Sequence, residues 1–115
     1  MSKDLQDRTK RFALSILSIV EKLDDSPSKR VVVNQLVRSA TSVGANYRAA
    51  CRARRDKEFI SKLNIVLEEA DESCFWLEII KEKQWKVVDD NLREANELTA
   101  IFVATLKSMN SRVKG

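Results

Sequence analysis

Only Pro27, Gly44 and Gly115, in a chain of 115 residues, are of the types that turn a backbone sharply at little cost. A β-sandwich or a doubly wound sheet needs such residues at many more places, so this scarcity excludes both and leaves an all-α chain. The length fits a single domain over residues 1–115. Such a domain buries a real core but has no room for a catalytic unit and a separate binding unit.

Apolar side chains recur at helical spacing in four segments. Leu5, Phe12, Ile16, Ile19, Val20 and Leu23 mark a helix over 4–24, which the run Asp24-Asp25-Ser26-Pro27-Ser28 ends. Val33, Leu36, Ala40, Val43, Tyr47 and Ala50 mark a second over 29–54. Asp56 is the expected N-cap of a third, 56–84, burying Phe59, Leu63, Val66, Leu67, Ala70, Cys74, Leu77 and Ile80. Asp89 and Asp90 offer caps for a fourth, 89–113, carrying Leu92, Ala95, Leu98, Phe102, Leu106, Met109 and Val113. Four amphipathic helices with short connections predict an antiparallel up-and-down four-helix bundle. Gly44, with Ala40, Ala45, Ala49 and Ala50 around it, marks a close helix approach. That approach is either within the bundle or between subunits.

The charges are segregated. No acidic residue lies between Asp25 and Asp56, while Lys29, Arg30, Arg38, Arg48, Arg52, Arg54 and Arg55 do. In a hairpin turning near residues 55 and 56, Arg38 falls level with the acidic stretch of the third helix, and a structural ion pair with Glu69 or Glu72 is expected. Arg48, Arg52, Arg54 and Arg55 find few acidic partners in their own chain. Arg48, Arg52 and Arg55, at i, i+4 and i+7, are expected on one helix face, extended by Lys57 and Lys62. That geometry suits successive phosphates. The alternative is a solvated face, or pairing with Glu68, Glu69 and Glu72 of a neighbouring subunit. Tyr47 is placed either to stack on a base or in a core or interface, and Trp76 and Trp85 read as core or interface residues, with ligand stacking as the alternative.

The chain has no histidine, so the usual general base and metal ligand are missing, and no CxxC, GxGxxG or P-loop pattern occurs. No catalytic, metal or cofactor-binding residue is expected. An intrachain Cys51–Cys74 disulfide is excluded, because the two lie about 6 Å and roughly 28 Å from the turn at a helical rise. No segment approaches a membrane span, and the charged start Met1-Ser2-Lys3-Asp4 carries no signal-peptide pattern. The expectation is a cytoplasmic protein with reduced thiols and no membrane contact.

The stretch from Arg38 to Ala50, RSATSVGANYRAA, followed by Glu58-Phe59-Ile60-Ser61-Lys62-Leu63 and by EEADESCFWL from Glu68 to Leu77, resembles a known family. It is the four-helix-bundle proteins encoded in intervening sequences of bacterial 23S ribosomal RNA genes, often labelled S23 ribosomal proteins. The similarity spans nearly the whole chain. It implies a non-enzymatic bundle that forms a ring, commonly a homopentamer, with a role tied to RNA. A relative of this architecture, the accessory protein of diversity-generating retroelements, is a basic ring that binds nucleic acid and a reverse transcriptase. Two positions depart from the family pattern: Ala49 stands where a glutamate is common, and Arg55 where a serine commonly caps the third helix. Two functions therefore compete: an RNA-backbone binder and a protein-interaction scaffold serving an RNA-processing enzyme or reverse transcriptase.

Overall fold

A computed structural model describes residues 2–114, which form four helices. They are α1 (Ser2–Val20), α2 (Pro27–Ala50), α3 (Asp56–Glu82) and α4 (Asp89–Lys114), with no strand among the described residues. The apolar periodicity located all four, and the boundaries differ for local reasons. The α1 helix stops at Val20 rather than 24 because its end tightens into i→i+3 bonds, Lys22 N–H to Ile19 O at 3.2 Å and Leu23 N–H to Val20 O at 3.1 Å. The α2 helix starts at Pro27, before the expected 29, because the Ser26 hydroxyl accepts from Lys29 N–H at 3.2 Å and proline suits the first helical position.

At its far end α2 stops at Ala50, four residues short of 54. The stripe Val43, Tyr47, Ala50 is buried, whereas Arg54, the next position in register, is exposed. A further turn of helix has nothing apolar left to bury. The α3 helix ends at Glu82 instead of 84 in a Schellman-type cap: Trp85 N–H reaches Ile80 O at 3.1 Å and Gln84 N–H reaches Lys81 O at 3.0 Å. Gln84 takes the left-handed position at φ 60°, usually given to glycine. Asp56 is not the N-cap of α3; Arg55 holds that position with extended backbone and no side-chain cap bond.

Helices pack in chain order, α1 on α2, α2 on α3, α3 on α4, and α4 closes sparsely on α1. The register is read from cross-helix pairs. Ser39 meets Ser73 across α2 and α3, and Lys81 meets Asp89 near the α3–α4 connection. Lys29 lies 5.7 Å from the Trp85 ring centre, which places the connections 21–26 and 83–88 at one end of the rod. Arg112 bonds Asp56 at 3.2 Å, so α4 finishes beside the α2–α3 connection, residues 51–55. We call these the two-loop end and the one-loop end.

The core runs the length of the rod through Ile16, Leu36, Val43, Leu63, Leu77, Ile80, Leu98 and Phe102, all fully buried. Thr9, Ser39 and Ser73 are buried as well. The Ser39 and Ser73 hydroxyls lie 3.0 Å apart, and each also reaches a carbonyl of its own helix, Leu36 O at 3.2 Å and Glu69 O at 2.9 Å. Small hydroxyl residues thus let α2 and α3 pack closely without an orphaned polar group.

Candidate nucleic-acid interface

The seven cations of the acid-free window divide into two groups. Three are compensated after all. Lys29 bonds Asp24, Arg30 bonds Asp25 at 2.7 Å, and Arg38 bonds Glu69 at 3.0 Å and also Glu72. Glu72 accepts the Trp76 indole N–H at 3.0 Å as well. That bond first, and Arg38 second, hold the Glu72 carboxyl below its ordinary value of 4.5. Arg38 is therefore a surface clamp between α2 and α3.

The other four, Arg48, Arg52, Arg54 and Arg55, are exposed, and none has an ion-pair partner among the described residues. They do not share a helix face, because α2 has ended. Arg48 lies in its last turn, while Arg52 and Ala53 N–H groups close the turn onto Ala49 O at 3.1 Å and Ala50 O at 3.0 Å. The arginines instead gather around the one-loop end. Lys57, in the first turn of α3, is exposed, and Lys62 further along is half-buried.

Three further cations reach this end. The chain has no acidic residue after Glu97, and α4 carries Lys107, Arg112 and Lys114 there. The signal was the same as in the earlier window, an acid-free run; only the fold places the two runs together. Arg112 occupies Asp56, the first carboxylate after the arginine cluster. One local acidic partner is thus withdrawn from Arg54 and Arg55.

Tyr47 does not offer a stacking platform at this end. It is 5% exposed, with its ring centre 5.8 Å from that of Phe102. Burial first, and the neighbouring Cys51 thiol second, push its phenol well above the ordinary 10.0. Trp85 is half-buried under Lys29. Trp76 is half-buried edge-on to Phe75, at 4.8 Å between ring centres. Both cysteines are free; Cys74 is buried and its thiol is raised chiefly by that burial, while Cys51 is half-buried against the core.

An all-α bundle with four unpaired arginines gathered at one end is the class that this geometry defines. The chain belongs to the 23S rRNA-intervening sequence protein family, whose pattern matches residues 3–106. It is similar to a solved structure from Bacteroides thetaiotaomicron VPI-5482, a protein with unknown function from the S23 ribosomal protein family. The identity is 30%, the TM-score is 0.81, and the match covers 89% of this chain and 97% of that one. No curated protein matches. Among the described residues, no helix is long and apolar enough to cross a membrane.

Proposed function

We propose that this chain is a non-enzymatic RNA-associated binding protein, an antiparallel up-and-down bundle assembled as a ring, commonly a homopentamer. It contacts the nucleic-acid backbone through Arg48, Arg52, Arg54, Arg55, Lys57 and Lys62. The observation that carries this reading is Arg55. It stands at the N-cap of α3 and makes no capping bond. A serine or aspartate there stabilises a helix by about 1 kcal/mol over a non-capping residue, and a cation at a helix N-terminus is opposed by the helix dipole. A cation kept at that position, near three other arginines without ion-pair partners, is a local stability cost that a bound polyanion offsets.

A ring repeats the cluster on every subunit, so weak contacts add by avidity. The test is the variant Arg48→Gln/Arg52→Gln/Arg55→Gln with a labelled single-stranded RNA. If each arginine neutralises one phosphate, the log–log salt slope flattens by about 2 units, with helicity and oligomer mass unchanged. Binding equal to the parent across the titration removes this end as the site.

The scaffold reading, in which the bundle is an accessory subunit for a protein such as a reverse transcriptase, draws on a different place. Phe75 is 53% exposed on α3, and a large exposed aromatic suits the anchor of a protein contact. If Phe75→Ser abolishes partner binding while the arginine variant leaves RNA binding intact, the scaffold reading replaces the first.

A further inference from the structure

We infer that the RNA track does not stop at the one-loop end but continues into the groove between α1 and α2, where Lys10 supplies a further phosphate contact opposite Arg48. The inference rests on the RNA reading above and adds a binding residue from a different helix. The groove is open, about 330 Å³, with Lys10 on the α1 wall and Arg48 on the α2 wall. Thr41, Gly44 and Ala45 form the α2 side of its floor, and no carboxylate lines it.

Its shape follows from Gly44. A Cβ built there lies 3.4 Å from the backbone carbonyl of Thr9, so α1 rests almost directly on the α2 backbone. Thr9 tolerates this burial because its hydroxyl donates to Gln6 O at 3.0 Å. The close approach brings a cation from each helix to one shallow slot floored by small side chains. Neither Lys10 nor Arg48 has an ion-pair partner among the described residues; the nearby Asp7 is paired with Lys3 at 3.7 Å. Two like charges held across a groove repel, and a phosphate between them relieves the repulsion. Arg48 belongs both to this groove and to the arginine cluster, so the slot and the cluster share a residue.

The test uses the intact oligomer, a fluorescein-labelled 20-nucleotide single-stranded RNA of mixed sequence, and a salt titration. Lys10→Gln is expected to reduce the log–log salt slope by about 0.7, one single-strand phosphate contact. Lys22→Gln removes the same charge from an exposed position near the two-loop end and is expected to leave the slope unchanged. Ala45→Leu fills the slot, keeps every charge, and is expected to weaken binding. If Arg52→Gln/Arg55→Gln weakens binding while Lys10→Gln and Ala45→Leu match the parent, the cluster stands and the groove extension is overturned. If none of these variants changes binding, the RNA reading itself fails. Equal slopes for Lys10→Gln and Lys22→Gln reduce the effect to net charge and overturn the site. A change in oligomer mass for Lys10→Gln assigns the groove to a subunit contact and overturns it too.

Discussion

The two ends of the bundle use the same charged residues in opposite ways. At the two-loop end Lys29, Arg30, Lys81 and Arg93 each bond a carboxylate from an adjacent turn or helix start, namely Asp24, Asp25, Asp89 and Asp90. Lys29 and Arg30 thereby hold the Asp24 and Asp25 carboxyls below their ordinary values. At the one-loop end four arginines have no such partner among the described residues, and Asp56 is taken by Arg112. The caps differ in parallel. Ser26 caps α2 at one end, whereas Arg55 leaves α3 uncapped at the other. Around the start of α2 the local charges are paired and the helix is capped. Around the start of α3 the arginines are unpaired and the cap is missing, and a ligand is proposed to complete them.

The widest test of this contrast removes three charges from each end. Arg48→Gln/Arg52→Gln/Arg55→Gln should weaken RNA binding at least tenfold at low salt with little loss of stability, given the slope expected for three phosphates. Lys29→Gln/Arg30→Gln/Arg93→Gln should leave RNA binding near the parent and lower the urea midpoint. Similar loss of binding in both would show that net charge, not the one-loop end, is what RNA senses.

A smaller effect separates structural from open charge by pH. Arg8 grips Glu94 through two bonds of 2.7 and 2.8 Å and reaches Glu97 at 3.0 Å, closing the sparse α1–α4 seam. The Arg8 hydrogen bond is the main cause of a Glu94 carboxyl held below 4.5. A depressed carboxylate contributes stability above its unfolded value that is lost as pH falls through its folded one. Stability should therefore drop as the solution is acidified below about pH 4.5, by about 1 kcal/mol from this partly exposed pair. Glu94→Gln should flatten urea midpoints measured at pH 6 and pH 3; an unchanged difference would assign the acid sensitivity elsewhere.

Exchanging the caps sharpens the comparison further. Ser26→Ala should cost about 1 kcal/mol, and Arg55→Ser should gain a similar amount, while only the latter loses RNA affinity. Denaturant melts read the first pair of effects and the salt titration the second. A stability loss in Arg55→Ser would mean that the arginine has a structural partner. The smallest expected change is at Gln84, whose left-handed backbone suits glycine. Gln84→Gly should raise stability by up to about 1 kcal/mol without touching RNA binding.

Sequence alone determined the fold class, since few turn residues and four apolar stripes at helical spacing admit little besides a helical bundle. It also showed two acid-free runs, because charge is written residue by residue. It did not show which of those charges are free. Whether Lys29, Arg30 and Arg38 are compensated depends on carboxylates brought within bonding reach by turns and helix crossings, and Arg38 meets residues more than 30 positions away. The end of α2 was hidden as well, for Cys51-Arg52-Ala53-Arg54-Arg55 contains no helix breaker. Tertiary burial decided it, because the helix stops where the core ceases to reward another turn. That stop turns a supposed helix face into a cluster around one end, which α4 then joins and α1 flanks. Helical periodicity is a local property that the chain encodes by itself. Convergence of like charges from separate helices is a property of packing, and only the tertiary structure supplies it.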